Sequence, residues 1–414
     1  MADQQFLTHT LLNGLSVVAE KMPGVRSAAM ALLVPCGASA DPHDRLGTAN
    51  VLAELVMRGA GDRDSKQFTD HLDTLGLQRS SSAAVLYTRY GAAAMADNVL
   101  QGLDAYADLV RRARLPENDF EPARDLALQS LSGIDDDPRQ KLLIKLREIH
   151  WPWPFGRNPM GDKSSLEALT LSDVRRSYQT RYTPAGAIFA IAGDIDLSDI
   201  RDRAERLFAD WQPTQPEPPQ GQQTQRRYHF EQQATEQTHI GLAFDSIDET
   251  HVDYYLVRLA IEVLSGGMSG RLFTEIREKK GLVYNVSASY SSLPGIGAVT
   301  GYAGTSNDRA QQTLDQFLIE LERLSEGVTQ EELDRAKIGL KSSTIMSGES
   351  SSSRAGAIAH DWLIRQRLRT IDEIIKAIDG VTLTAVNDYL RAHKPGNYTI
   401  AIVGPKELVL PTNA

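Results

Sequence analysis

The chain has 414 residues, long enough for about two to four domains with full hydrophobic cores. Apolar residues make up 41% and charged residues 24%, and the net charge of −10 argues against nucleic-acid or anionic-membrane partners, because phosphate binding needs a basic surface. A single cysteine, Cys36, rules out an internal disulfide and a thiolate-rich metal site. With no signal-like start and no apolar run near ~18 residues, we expect a soluble cytoplasmic protein, or a periplasmic one whose signal has been cleaved.

The first half of the sequence alternates strand-like and helix-like segments. Apolar residues at every second position predict strands, and a period of about 3.6 predicts helices. Asn13-Gly14 is a typical two-residue turn, which predicts a hairpin over residues 10–21. In chain order we then expect a strand at 27–35, helices at 47–57 and 65–75, a strand at 83–94, helices at 98–112, 120–132 and 171–181, and a strand at 187–192.

The second half repeats this order at a nearly constant spacing, which is hard to obtain by chance. We infer a duplication of about 200 residues, well above the periods of solenoid repeats. The predicted fold is α+β, with two homologous halves that each contain a mainly antiparallel sheet with helices on one face, arranged as a clam around a cavity. The matched pairs are Phe120 with Leu333 (213 residues apart), Leu171 with Leu383 (212) and Gly193 with Gly404 (211).

A segment rich in proline and glutamine separates the halves. Residues 211–225 contain four prolines and no β-branched apolar residue, so they cannot bury a core and are predicted to form an extended linker. The predicted domains are therefore an N-terminal half at 1–210, the linker at 211–225 and a C-terminal half at 226–414.

The stretch from 264 to 284 carries the clearest candidate site. Its apolar spacing predicts a helix that ends at Gly281, and LVYNVSASY after it predicts a strand. Arg277 then lies in the last helical turn and Tyr284 early in the strand, so a cation and a phenol could converge on one oxygen. The alternative is a solvated helix-end cation and a half-buried strand residue. For Arg271, earlier on the helix, we expect a structural pairing with a carboxylate such as Glu275.

This stretch resembles the second-half signature of the pitrilysin and mitochondrial processing peptidase superfamily. The resemblance extends over nearly the whole chain, through the duplicated halves, the proline-rich linker and the closing strands IAGD and IVGP. It implies that Arg277 and Tyr284 hold the substrate carbonyl opposite a zinc site. In members that cut peptides, His-x-x-Glu-His in the first half supplies two zinc ligands and the general base, and an acidic residue supplies the third ligand.

The zinc motif is degenerate here. Gly47 and Gly59 fix the frame, in which Asn50 falls on the first His, Ala53 on the Glu and Glu54 on the second His. Counting back from Asp137-Pro138 places Ser130 at the third-ligand position. Because Asn50 is a weak ligand, Ser130 does not ionise and Ala53 is no base, we expect no metal in this chain and no peptide hydrolysis by it alone.

Three functions remain open from the sequence. The first is a non-catalytic partner subunit of a two-chain zinc metalloendopeptidase, with zinc in a homologous partner and Arg277 and Tyr284 contacting the peptide substrate. The second is a catalytically dead scaffold of the same fold. The third is a module that binds extended peptides by strand addition without cutting them. Self-association is an alternative to a heterodimer.

Overall fold

A computed structural model gives the fold and describes residues 4–214, 219, 221–222 and 228–410. These residues form two compact units, each assembled from separate stretches of sequence. The units cut across the predicted halves 1–210 and 226–414, and much of the predicted linker 211–225 lies outside the described residues. The first unit comprises the described residues of Met1–Gly133, Trp153–Gln222 and Ser347–Arg369, and the second those of Ile134–Pro152, Gln223–Met346 and Thr370–Ala414.

Strands and helices alternate along the chain, largely where the sequence patterns predict them. The strands are β1 (Gln5–Thr10), β2 (Ser16–Lys21), β3 (Ser27–Val34), β4 (Gln78–Ala83), β5 (Thr88–Met95), β6 (Ile188–Gly193), β7 (Tyr228–Gln232), β8 (Gln237–Ser246), β9 (Asn285–Leu293), β10 (Ile296–Ser306) and β11 (Thr399–Gly404). The α-helices are α1 (Thr48–Val56), α2 (Ser65–Thr74), α3 (Ala96–Arg111), α4 (Phe120–Asp135), α5 (Pro138–His150), α6 (Lys163–Ala168), α7 (Leu171–Arg181), α8 (Leu197–Phe208), α9 (Tyr254–Ser265), α10 (Ala310–Ser325), α11 (Gln330–Gly348), α12 (Ser351–Arg365), α13 (Ile371–Asp379) and α14 (Leu383–Ala392). Among the described residues, no helix combines the length and hydropathy needed to cross a bilayer.

Five strands of the first sheet repeat the strand order of the second sheet, which confirms the predicted duplication, and the edge strand β1 has no counterpart among the described residues. The first sheet has the order β1-β2-β6-β3-β5-β4 and the second has the order β7-β11-β8-β10-β9. Both are mainly antiparallel, with one parallel pair each, β2 with β6 and β7 with β11. The register also repeats: Ala190 pairs with Ala31 in the first unit, and Ala401 pairs with Gly241 in the second.

Each sheet is covered on both faces, so the predicted arrangement with helices on one face is incomplete. Alternate residues of β3 pack into the main core of the first unit, while Ala29, Ala31 and Leu33 face a separate cluster. That cluster is completed by Ala355 and Ile358 of α12, which comes from the second half of the sequence. Both faces of the central strands are apolar, and two apolar faces need two covers.

The second unit is covered in the same way by a helix from the first half of the sequence. Leu142 and Leu146 of α5 pack against Ala243, Ala401 and Val403 of the second sheet. The helices α5 and α12 begin 213 residues apart, at Pro138 and Ser351, the spacing of the duplication. The two halves of the sequence therefore each contribute one helix to the other unit.

A buried ion pair fixes α12 to the first sheet. Arg354 Nη2 lies 2.7 Å from Glu20 Oε2, and the two side chains are 6% and 4% exposed. Arg354 Nε donates to the same oxygen at 2.7 Å, and Gln4 Nε2 donates to Glu20 Oε1 at 2.6 Å. Removing one partner of a buried pair leaves the other charge desolvated and uncompensated.

We expect Arg354→Ala to lower the free energy of unfolding by about 3–5 kcal/mol, because Glu20 would remain buried without its counter-charge. Urea denaturation measures this change. The matched control is Lys66→Ala, which breaks an exposed pair with Asp70 and should change the free energy of unfolding far less. Equal losses in the two variants would show that the buried pair does not hold α12.

Candidate functional site

The helix α1, which carries three of the four degenerate motif positions, is held by a buried aspartate. It follows Gly47, whose φ of 90° is in the left-handed region that favours glycine. The Asp41 carboxylate accepts hydrogen bonds from the backbone N–H groups of Gly47 (2.9 Å) and Ala49 (3.0 Å). Arg157 Nη1 donates to the carbonyl oxygens of Asp41 (2.6 Å) and Ala38 (3.1 Å). Polar contacts of the chain itself therefore fix the start of α1.

The four motif positions do not fit a zinc ion. Glu54 Oε1 accepts from Arg58 Nη2 at 2.5 Å and from Nε at 3.0 Å, so its carboxylate is paired within its own helix. Asn50 is half-buried, and Ala53 is 3% exposed and offers no ligand atom. Ser130 is exposed on α4 and donates to the Leu126 carbonyl oxygen at 2.9 Å. Within the described ranges, no group of three or more His, Cys, Asp or Glu is placed to hold a metal.

Arg277 lies on a π-helix, Leu272–Lys279, where the sequence pattern predicts an α-helix. Segments of π-helix are rare and frequently occur at functional sites. Gly281 ends the helix as predicted, with φ 61° and its N–H donating to the Arg277 carbonyl oxygen at 3.1 Å. The Arg277 guanidinium is exposed and lies 4.9 Å from the centre of the Phe273 ring. It forms no ion pair with any residue that the structure describes.

The sequence pattern predicts that Tyr284 lies early in a strand. In the structure Tyr284 instead comes one residue before the start of β9. Its N–H donates to the Gly304 carbonyl oxygen at 2.9 Å, which joins its backbone to β10. Leu282 and Val283 before it are buried, and Thr305 Oγ1 donates to the Leu282 carbonyl oxygen at 2.5 Å. The Tyr284 side chain is nevertheless 62% exposed. An anchored backbone thus presents a phenol to solvent.

The expected pairing of Arg271 with Glu275 is wrong. Arg271 forms a two-pronged ion pair with Glu332, with Nε–Oε1 at 2.7 Å and Nη2–Oε2 at 2.8 Å, and Glu275 instead pairs with Lys279. Burial alone would raise the pKa of Glu332, but hydrogen bonds from Arg271 and Thr329 lower it to about 2. Bidentate charged contacts are strong and directional, so this pair fixes the start of the π-helix against α11.

Sequence patterns indicate only part of the contacts that Glu332 makes. Thr329 followed by Glu332 is a capping-box pattern that predicts the start of α11, and both side chains make the capping contacts. The second role of Glu332, as partner of Arg271 across 61 residues, leaves no local signal. The Asp41 contacts with Gly47 and Ala49 were missed for the same reason, since acidic residues in loops are common.

Comparison with known proteins agrees with this architecture. Residues 16–154 match the family model for insulinase, peptidase family M16, and residues 168–340 match the one for the peptidase M16 inactive domain. The chain belongs to peptidase family M16. Its fold is that of the pitrilysin superfamily, as the sequence resemblance implied.

Curated relatives are similar over their full length. An uncharacterized zinc protease of Bacillus subtilis is 27% identical over 96% of this chain and 98% of that protein. An uncharacterized zinc protease of Mycobacterium tuberculosis is 28% identical over 96% of this chain and 92% of that protein. Among solved structures, a peptidase M16 inactive domain from Pseudomonas fluorescens superposes with a TM-score of 0.89 at 21% identity, covering 98% of this chain and 100% of that one. A protease from Helicobacter pylori gives 0.88 at 20% identity, covering 97% and 100%.

We expect the purified chain to hold far less than one zinc ion per molecule, because no side chain at Asn50, Ala53 or Ser130 supplies a strong ligand. Elemental analysis of protein purified without a metal-affinity tag measures this. The single substitution Asn50→His should not increase the zinc content. The fourfold variant Asn50→His, Ala53→Glu, Glu54→His, Ser130→Glu, which restores the motif, is the positive control. One tightly held zinc in the unsubstituted chain would contradict this assignment.

The buried Asp41 makes stability depend on pH. Burial raises its pKa to about 7 despite the opposing hydrogen bonds from Ala49 and Gly47, whereas an unfolded chain releases this proton near pH 3.9. The folded chain therefore binds the extra proton between about pH 4 and pH 7, and this group makes the free energy of unfolding fall as pH rises, by up to about 1.4 kcal/mol per pH unit.

We expect Asp41→Asn to remove that part of the slope, because an amide does not titrate. Urea denaturation of both proteins at several pH values between 4.5 and 7.5 gives the difference. Asp44→Asn is the matched control, since Asp44 is 75% exposed. If the free energy of unfolding of Asp41→Asn fell with pH as steeply as that of the wild type, the pH dependence would not come from Asp41.

Proposed function

We propose that this chain is the non-catalytic subunit of a two-chain zinc metalloendopeptidase. In this proposal it contributes half of the reaction chamber and the contacts of Arg277 and Tyr284 with the scissile carbonyl of a peptide substrate. A zinc-bearing homologue contributes the metal and the general base. Full-length similarity to proteins described as zinc proteases supports a role in proteolysis.

The observation that carries the proposal is the contrast between two sets of positions. At the metal positions, Glu54 is paired with Arg58, and Ser130 is bonded to its own helix. At the carbonyl-binding positions, Arg277 and Tyr284 are both exposed, on a segment anchored by buried neighbours. A scaffold needs neither an exposed phenol nor a cation without an ion-pair partner.

The chemistry of the two side chains suits a developing oxyanion. When water attacks a peptide carbonyl, negative charge accumulates on the carbonyl oxygen. A guanidinium and a phenol held on anchored backbone would donate hydrogen bonds to that oxygen without reorganising. Donors of this kind stabilise the transition state more than the bound substrate, so their loss lowers turnover more than it changes KM.

The partner has to be identified first. We expect a homologue that carries His-x-x-Glu-His to co-purify with this chain from its native cell, and mass spectrometry of the captured proteins tests this. Recovery of a membrane complex, with no such homologue, would favour the scaffold role.

In the reconstituted pair we expect Tyr284→Phe and Arg277→Ala each to lower kcat about 10²–10³-fold with little change in KM, because each removes one oxyanion donor. Steady-state kinetics on a peptide substrate measures both constants. Lys279→Ala is the matched control: it removes an exposed cation two residues away that pairs with Glu275. If the double variant Arg277→Ala/Tyr284→Phe keeps turnover within a factor of about two, the chain is a scaffold.

A further inference from the structure

A chain of polar contacts in the second unit joins both ends of the π-helix to α10. At the start of the π-helix, Arg271 Nη1 donates to the Arg323 carbonyl oxygen at 3.3 Å. At its end, Lys280 Nζ donates to Gln316 Oε1. Between these two contacts, the Glu320 carboxylate accepts from Gln316 Nε2 at 2.7 Å and from Arg323 Nη1 at 2.7 Å. These five residues, the α10 bracket, connect one end of the π-helix with the other.

The middle of the α10 bracket is buried and its polar groups are paired. Gln316 is 7% exposed and Glu320 is 1% exposed. Each carboxylate oxygen of Glu320 has its own donor, Oε1 from Gln316 and Oε2 from Arg323. Arg271 is held a second time by its two-pronged pair with Glu332. Buried polar networks that are fully paired hold one arrangement, because any other arrangement leaves a group without a partner.

The spacing of the anchor points fits a π-helix better than an α-helix. Gln316 and Arg323 are seven residues apart on α10, which is about 10.5 Å along its axis. Arg271 and Lys280 are nine residues apart, which an α-helix would extend over about 13.5 Å. Because the hydrogen bonds of a π-helix close a wider ring, more residues fit into each turn and the same residues span less length. The two anchor points on α10 therefore favour the shorter and wider helix.

We propose that the α10 bracket keeps this segment π-helical and thereby positions Arg277. The inference rests on the proposed function, in which Arg277 contacts the scissile carbonyl. A π-helix that relaxes to an α-helix shifts part of the segment by one residue, which turns the side chains there by about 100° around the axis. A donor has to lie within hydrogen-bond distance of the carbonyl oxygen, so a turn of this size removes it. Lys280 and Arg271 are positioning residues, because they act through Arg277.

Crystal structures of the isolated full-length chain test the α10 bracket without a partner. Lys280→Met breaks the contact with Gln316 at an exposed residue, so the fold should persist. We expect the segment to be α-helical in this variant, with the Arg277 side chain turned by about 100° relative to the wild type. Lys279→Met, which breaks only the pair with Glu275 inside the segment, should keep the π-helix. An unchanged π-helix and an unchanged Arg277 position in Lys280→Met would overturn the proposal.

Kinetics of the reconstituted pair test the effect on the reaction. We expect Lys280→Met to lower kcat about 10–100-fold with KM changed less than about twofold, because a small misplacement of a transition-state donor costs turnover and not substrate binding. Lys280→Arg, which keeps a cationic donor for Gln316, should restore kcat to within about threefold of the wild type. Lys279→Met is again the matched control and should leave both constants within about twofold. Equal kcat in Lys280→Met and Lys279→Met would overturn the positioning role.

A double-mutant cycle shows whether Lys280 acts through Arg277. In the Arg277→Ala background, Lys280→Met should lower kcat no further, because the residue that it positions is already absent. Losses that multiply would show that Lys280 acts independently of Arg277 and would contradict the proposal. If Arg277→Ala alone leaves kcat unchanged, the proposed function fails, and the crystal structures still decide whether the α10 bracket holds the π-helix.

Discussion

The architecture depends on central strands that are apolar on both faces. In β3 the residues that face the main core alternate with Ala29, Ala31 and Leu33, which are also buried. A strand of this kind is stable only when both faces are covered, and the local helices of each half cover one. The exchanged helices α12 and α5 supply the second cover. Each unit therefore contains one helix from the other half of the sequence, and neither half covers both faces of its own sheet alone.

Local sequence patterns were sufficient for the duplication and for most elements of the first half, but the helices α5, α6 and α8 were not predicted. The helix predicted at 171–181 is α7, Leu171–Arg181, and Thr170 and Asp173 form the capping box at its start. The serine-rich edge strand β4 was missed because it has almost no apolar residue to alternate. The helix exchange was not predictable, because α5 shows the same apolar period whichever sheet it covers. The partner of Arg271 was misassigned because local spacing suggests only partners three or four residues away on the same helix, whereas Glu332 is 61 residues away.

The fold of α1 does not require a metal at the zinc-motif positions that this helix carries. The start of α1 is held by Asp41 through the N–H groups of Gly47 and Ala49, and its apolar face, including Leu52 and Leu55, is fully buried. None of these contacts involves a metal. The start of α1 is therefore fixed by contacts that do not use the side chains of Asn50 or Glu54.

For the candidate carbonyl-binding residues Arg277 and Tyr284, buried neighbours fix the backbone but the two side chains are exposed. Leu282, Val283 and Ile276 bury their side chains and fix the segment, so folding places no demand on the side chains of Arg277 and Tyr284. A large aromatic side chain that is 62% exposed contributes little to a core. The π-helix adds a second feature that stability does not require, since this geometry is rare and usually survives where a site depends on it. The proposed contact with a peptide carbonyl therefore depends on two exposed side chains, Arg277 and Tyr284, that an anchored backbone presents to solvent.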